Sequence, residues 1–486
     1  MKFPKLSLLK KLLLGGLCAL LGAVLGVVAL YVWFLNQGPS LGIWHEVHLE
    51  EEFTADKGDE VETLADYLAL EDRLFDELEK KVYAKTSGGE RFKLNRYQHG
   101  SLSDPTGYGV DYNRTFEWTP PDAKGGVLLL HGLSDSPYSM VGIARLLHSK
   151  GLHVLVMRMP GHGTVPSGLV HAKWQDLAAA TKIGMRHLHK ALVGGQPIFI
   201  VGYSTGAALA VDYSLEALKD DSLPRARSLV LLSPAIGVSA AAGFARWQSG
   251  LSWMLGMAKV GWTNILPEYD PYKYGSFAVN AGDLIYQLSM AIGAKLDALP
   301  QDRGTRDFPP TLAFSSAVDA TVLVTAVVDE FLSKVGNEGN EFVLFDINRL
   351  SEMEPLLAKD PRDALESLRE DPKRRFAFRL VTNRSRNSLD LVSLHCAPGS
   401  DAPVRTDLGL TWPKGVHSLA HVSMPFPPDD PLYGDGSSRK QRLHLGNIEA
   451  RGENGVLNVP ASGILRLRHN PFFSFVEDRI VDFLGL

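Results

Sequence analysis

Pro197-Ile198-Phe199-Ile200-Val201-Gly202-Tyr203-Ser204-Thr205-Gly206-Ala207-Ala208-Leu209-Ala210-Val211 is the stretch from which the rest of the chain can be read. Its apolar start, 197–201, reads as a buried strand, and 205–218 reads as a helix. Gly202-x-Ser204-x-Gly206 falls in the turn between them. A serine between two glycines is a weak signal alone. At a strand-to-helix turn it is a strong one. The sharp turn exposes the serine side chain at the strand end, small flanking residues allow close backbone approach, and the first helical turn leaves amides unpaired. The bland alternative is a serine that only caps a helix.

Outward from this turn the pattern is regular. Strands are expected at 127–130, 153–157 and 228–232, with helices at 139–149 and 174–192. Further on come a strand at 311–315, a helix near 322–335, a strand at 341–345 and a last helix at about 472–484. Alternation of this kind predicts an α/β fold, a mostly parallel sheet with helices on both faces. Residues 125–235 are expected to form the first half of the core, 308–347 the second half, and 471–486 a C-terminal helix. Between the halves, 236–307 is rich in Trp, Met, Leu and Ala and reads as a helical cap. Residues 348–470 carry strand-like runs at 376–381 and 389–394 and a Pro-rich run at 424–428. Structureless loops this long are uncommon in compact domains, so this stretch reads as a folded insertion. Ahead of the core, 36–124 holds a linker, an acidic helix-like segment at 50–85, and short alternations over 92–118 that predict the first strands.

Lys2, Lys5, Lys10 and Lys11 mark a basic segment, 1–11, before an uncharged run, 12–35. About 20 apolar residues cross a bilayer as a helix, so 12–35 is expected to be a transmembrane anchor. Signal-peptide apolar cores are shorter and end in small residues. Here the run ends with Tyr31, Trp33 and Phe34, which suit a membrane interface. The flanking lysines predict a cytoplasmic N-terminus and a catalytic region outside the cytoplasm.

The 486 residues carry a net charge of −5. That balance argues against a nucleic-acid partner, which needs a concentrated basic surface. Cys18 and Cys396 give neither a disulfide framework nor a metal spacing. His45/His48 and His187/His189 read as surface residues, since helix positions two apart do not face each other. No metal or cofactor is expected. Asn113-Arg114-Thr115 matches a glycosylation sequon, a motif common by chance.

A second motif, His131-Gly132-Leu133, follows the strand at 127–130. In that position the Leu133 amide can pair with the Thr205 amide as a two-donor oxyanion hole. His131-Gly132-Leu133, Met159-Pro160-Gly161-His162-Gly163-Thr164 and Gly202–Gly206, in this spacing, resemble the carboxylesterase and monoacylglycerol-lipase branch of the α/β hydrolases. The resemblance covers 125–235 and the Asp319 segment, less than half the chain. It implies the α/β-hydrolase fold, ester hydrolysis without a cofactor, and a helical cap where 236–307 lies.

A serine hydroxyl needs a neighbouring base, normally a histidine oriented by a carboxylate. In this fold the chain order is Ser, acid, His. Asp319 follows the strand at 311–315, in the kind of turn where the resemblance puts the acid. A helix cap is its alternative role, and Asp329 and Asp346 are the other nearby carboxylates. The resemblance puts the histidine soon after the last strand, near Phe345, and none occurs there. His395, His417, His421 and His469 remain. His421, set among the small and apolar residues of 418–425, is preferred over His469, which precedes the last helix.

The expected reaction is attack of Ser204 on an ester carbonyl, with His421 as base, Asp319 as its orienting acid, and the Leu133 and Thr205 amides on the oxyanion. The expected partners are a small-molecule or lipid ester and the membrane. Acyl transfer to an alcohol needs the same residues, and a catalytically inactive hydrolase fold used for binding is the rival from another class. Trp247, Trp253, Met254, Met257 and Trp262 suggest an acyl-chain pocket in the cap, with core packing as the alternative.

Overall fold

Six segments between residues 125 and 345 are buried at every position, which only a sheet covered on both faces permits. The computed structural model describes residues 5–486 except 59, 87, 89–91, 193, 238–257, 300–306, 320, 337–338, 353, 359, 439–441 and 447–466. In chain order the strands are β1 (Phe116–Trp118), β2 (Gly125–Leu130), β3 (Leu152–Met157), β4 (Ile198–Tyr203), β5 (Ser228–Leu232), β6 (Trp262–Asn264), β7 (Phe277–Ala278), β8 (Thr311–Ser316), β9 (Glu341–Phe345), β10 (Ala377–Asn383), β11 (Asp390–Cys396) and β12 (Val404–Thr411). Ten of them form one sheet in the order β1-β3-β2-β4-β5-β8-β9-β10-β11-β12. The run from β3 to β10 is parallel, while β1, β11 and β12 are antiparallel to their neighbours. β6 and β7 form a separate ribbon.

On one face the helices Leu64–Lys81, Trp174–Ala191, Thr205–Ala217 and Val279–Asp297 pack over β2, β4, β5 and β8. On the other, Val141–Ser149 and Phe473–Leu484 cover Val127, Val201, Val230 and Phe314. This two-sided cover is the α/β layering expected from the alternation of elements.

Three local expectations are corrected. Of the stretch 92–118, only β1 is a strand among the described residues. Asn95, Asp104 and Asp111 instead accept bonds from the amides of Tyr97, Thr106 and Asn113, so side chains close turns where a ladder was expected. The helix expected near 322–335 is a short α-turn, Val324–Ala326, that widens into a π-helix, Val327–Leu332. β12 was not anticipated: its residues are mostly exposed at the sheet edge, so they lack a buried-strand signature.

Within 236–307 the described residues form a 3-10 turn, Ala258–Gly261, the β6–β7 ribbon and the helix Val279–Asp297. Trp247, Trp253, Met254 and Met257 lie outside the described residues. The N-terminal helix Lys5–Gln37 leaves Leu12, Leu17, Leu20, Leu25 and Leu30 more than half exposed. Its segment Lys10–Val27 is long and apolar enough to cross a membrane.

The segment ahead of the core is tied on by a buried charge cluster. The helix Leu64–Lys81 begins with a Thr63/Asp66 capping box and turns Leu64, Tyr67, Leu70 and Leu74 inward. On the same side, the Glu71 carboxylate accepts from Arg158 Nε at 2.9 Å, from the Thr115 amide at 3.0 Å and from the Thr115 hydroxyl at 2.9 Å. Burial pushes the Glu71 carboxyl up, against the pull of the Arg158 charge. Arg158 also donates to Glu52 and to the His162 carbonyl.

Removing one partner of a buried pair typically costs about 3–5 kcal/mol, and because Arg158 keeps Glu52 the lower end of that range applies. Glu71→Ala should therefore lower stability by about 3 kcal/mol or more. Arg73→Ala, which breaks the exposed pair with Glu51 and an exposed bond to the Ala69 carbonyl, should cost less than about 1 kcal/mol. Urea midpoints would separate them, and equal shifts for the two variants would contradict this account.

Candidate active site

β4 runs straight into the helix Thr205–Ala217, and Ser204 makes the turn at φ 53° and ψ −112°. A non-glycine residue in such a conformation costs on the order of 1–3 kcal/mol and persists only where its surroundings enforce it. Here the Ser204 amide donates to the Leu232 carbonyl at 2.9 Å, and the Ser204 carbonyl accepts from the amides of Ala207 and Ala235 at 3.1 Å each. The two glycines of the motif are steric requirements. A Cβ on Gly206 would sit 2.1 Å from the Leu130 carbonyl oxygen, and one on Gly202 would sit 2.4 Å from the Gly206 carbonyl oxygen.

β3 lies on one side of β2 and β4 on the other, so a crevice opens where the winding reverses. Leu133 follows β2 and Ser204 follows β4, on the two sides of that crevice. Among the described residues, neither the Leu133 nor the Thr205 amide donates to a backbone carbonyl. His131 does not reach the serine. Its Nε2 accepts from the Met159 amide at 3.0 Å and its Nδ1 donates to the Gly132 carbonyl at 2.9 Å. Burial pushes its pKa down to about 3, so it is a neutral strut between the 131–133 and 159–164 turns.

Asp319 stands in the turn after β8. Its Oδ1 accepts from the amides of Thr321 at 2.8 Å and Val322 at 3.0 Å, and its Oδ2 lies 2.7 Å from His421 Nδ1. Burial pushes the carboxyl up, but the charge and hydrogen bond of His421, with the two amides, outweigh it and hold Asp319 below its ordinary value. His421 Nε2 lies 3.1 Å from Ser204 Oγ. With an ionised carboxylate at Nδ1, that nitrogen carries the proton, and the Nε2 lone pair faces the serine hydroxyl.

The loop carrying His421 is pinned by packing and by main-chain bonds. Trp412, Val416, Leu419 and Met424 are buried in the same cluster as Phe472. The Asn348 amide donates to the His417 carbonyl at 2.8 Å, and the Tyr203 hydroxyl donates to the His421 carbonyl at 3.3 Å. The competing candidates are engaged elsewhere. His469 Nδ1 lies 3.3 Å from the Tyr433 carbonyl, and Asp346 is held by two bonds from Arg349 at 2.8 Å each. Asn113 of the sequon is buried, and its amide donates to Asp111 and to the Pro271 carbonyl.

A cavity of about 390 Å³ meets Ser204, with Leu133, Ala235, Phe277, Val279, Ile285 and Val422 among its apolar walls. Lys273 and Asp135, paired at 2.7 Å, also line it. Trp262 is not a wall. It is buried with Leu169, Tyr274 and Ala278, its ring centroid 4.8 Å from that of His45, and its neighbour Thr263 lines the cavity instead. Sequence reasoning missed Phe277 and the helix face of Val279, Gly282 and Ile285. The three-residue spacing of that face was the available signal. Chemically, the arrangement can deprotonate a serine, attack a carbonyl and meet the resulting oxyanion with two amides.

Residues 121–280 match the family described as Hydrolase_4, serine aminopeptidase, S33. A thermostable monoacylglycerol lipase of Bacillus sp. (strain H-257) is 33% identical over 86 residues, which are 18% of this chain and 33% of that protein. Phospholipase YtpA of Bacillus subtilis (strain 168) is 25% identical over 122 residues, 25% of this chain and 44% of that protein. The matches thus span from a third to under a half of these relatives' length. Among solved structures, a Paleococcus ferrophilus monoacylglycerol lipase aligns over 48% of this chain and 88% of its own, at 16% identity and a TM-score of 0.36. The family match and the sheet topology give the core the α/β-hydrolase fold, and its similarity lies with the esterase and lipase branch.

If His421 activates Ser204, a fluorophosphonate probe should label the serine of the wild-type protein. His421→Ala should slow labelling by about 100-fold or more, the usual share of a general base, and His469→Ala should leave it unchanged. Quantified labelling rates check this, and the opposite pattern would move the base to His469.

Proposed function

We propose that the chain is a membrane-anchored serine hydrolase that cleaves carboxylic esters, lipid-like esters foremost. Ser204, His421 and Asp319 act as its triad, and the Leu133 and Thr205 amides as its oxyanion hole. The observation that carries this reading is the hydrogen-bonded line Asp319–His421–Ser204, with separations of 2.7 and 3.1 Å, at an apolar-walled cavity. Ser204 Oγ attacks the ester carbonyl carbon while its proton passes to His421 Nε2. Asp319 stays ionised and stabilises the imidazolium. The carbonyl oxygen, now negative, takes hydrogen bonds from the two amides. His421 then returns the proton to the departing alcohol, leaving an acyl-serine. Water, deprotonated by the same histidine, releases the acid.

Two features support a lipid-like substrate at a membrane. The exposed apolar side chains of Lys5–Gln37 need an apolar surrounding, which a bilayer supplies. Directly after this helix, the Gly38 carbonyl accepts from Lys259 Nζ at 3.2 Å. Leu41 then packs on the Trp262 cluster, and His45 Nε2 lies 2.9 Å from the Ser276 hydroxyl. The end of the anchor is thereby tied to the β6–β7 ribbon, which contributes Thr263 and Phe277 to the cavity. The flanking lysines orient the anchor with its N-terminus in the cytoplasm and the hydrolase outside.

Ser204→Ala should abolish turnover, by about a million-fold in kcat if the serine works in a triad. Each methylene buried in the cavity is worth about 0.8 kcal/mol, so kcat/KM should rise up to about fourfold per methylene from acetyl toward octanoyl esters. Phe277→Ala should flatten that rise. A maximum at acetyl that Phe277→Ala leaves unchanged would refute the lipid-like preference.

A further inference from the structure

Far from the serine, three side chains remote in sequence converge. Glu117 comes from β1, His153 from β3 and His187 from the helix Trp174–Ala191. The Nε2 atoms of His153 and His187 lie 2.5 and 2.6 Å from the same carboxylate oxygen of Glu117, and the three atoms all fall within 4.8 Å of one another. We propose that Glu117, His153 and His187 form a binding site for a divalent cation of the zinc type, which clips the edge strand to the core.

The donor set fits that chemistry. Two imidazole nitrogens and one carboxylate oxygen, with water in a fourth position, make a common tetrahedral zinc environment. Zinc bonds of about 2.0–2.1 Å in a tetrahedron put neighbouring donor atoms about 3.3 Å apart. Admitting the cation therefore requires the Glu117 carboxylate to withdraw by less than about 1 Å and the two Nε2 atoms, which lie within 4.8 Å of each other, to settle at that separation by a shift of the His187 side chain. The carboxylate is free to withdraw, since β1 has a neighbour on one side only and the Glu117 side chain is 30% exposed. His153, by contrast, is held at 6% exposure inside the sheet. His187 is 30% exposed, which leaves an open side for water. The Thr119 hydroxyl, 3.3 Å from His153 Nε2, stands where it can bond to that water.

The site stands apart from the serine chemistry. His153 is in register with Gly126 of β2, and Gly126 with Ile198 of β4, six residues before Ser204. At roughly 3.3 Å per strand residue this separates cation and serine by about 20 Å. What the cation joins is the edge strand β1, at the point where the N-terminal segment enters the sheet, to β3 and a core helix. A ligand that binds only this folded arrangement raises stability by mass action.

The test uses the full-length, untagged protein in detergent, stripped with a chelator and titrated with Zn²⁺ by calorimetry. Thermal unfolding and esterase activity are followed in parallel. The expected result is one Zn²⁺ per chain and a raised melting temperature. In His187→Ala and Glu117→Gln the affinity falls at least tenfold and the thermal gain disappears, while activity stays at the wild-type level. His187 is a partly exposed helix position, so its loss should leave the chelated melting temperature near that of the chelated wild type. Glu117→Gln keeps the shape of the site if His187→Ala disturbs the fold. Absence of a saturable single site in the wild type, or undiminished affinity in both variants, would overturn the proposal and leave a hydrogen-bonded cluster only.

Discussion

Everything in the candidate site depends on one strained residue. Ser204 sits at positive φ because β4 and the helix after it must meet without an intervening loop. The close contacts of Gly202 and Gly206 with the neighbouring backbone leave no room for that junction to relax. The strain is useful chemically: it lifts Oγ out of the sheet and leaves the Thr205 amide free at the helix start. The Ser204 amide donates to the Leu232 carbonyl and the Ser204 carbonyl accepts from the Ala235 amide, which ties the turn to the end of β5 and the residues after it, so its geometry is enforced by the core rather than by the loop itself. The neutral His131 strut does the same for the opposite wall of the crevice.

Legibility in the sequence followed locality. The Ser204 turn and the Asp319 turn each announce themselves within a few residues of a buried strand, so both could be singled out from the chain alone. His421 could not be placed by distance from the last expected strand. β10, β11 and β12 extend the sheet beyond β9, and the chain returns across it before reaching the histidine. What pointed to His421 was its setting among small and apolar residues, and those residues, Leu419 and Met424 with them, are the ones that pin the loop. The cavity wall was legible only in part. Trp262 carried the obvious apolar signal and is core, while Phe277, Val279 and Ile285 reach the cavity from an ordinary ribbon and helix. The Arg158–Glu71 pair and the Glu117–His153–His187 cluster join residues dozens of positions apart, and no spacing rule brings them together.

The segment after the N-terminal helix packs against the core. Gly38 bonds to Lys259 in the turn before the ribbon that lines the cavity, Leu41 and His45 pack on the ribbon's Trp262, and Glu71 docks on Arg158 beside the 159–164 turn. The end of the N-terminal helix, the cavity wall and the 159–164 turn therefore form one connected structure, and displacement of residues 38–45 would be felt at Thr263 and Phe277.

If the proposed triad operates, Ser204 Oγ is acylated during turnover. The most direct measurement is mass spectrometry of the protein quenched with acid during steady-state turnover of an octanoyl ester. One octanoyl adduct per chain is expected, mapped to the peptide containing Ser204 and absent when the ester is omitted. An adduct on another residue, or turnover with no acyl-protein at any quench time, would contradict the proposed triad.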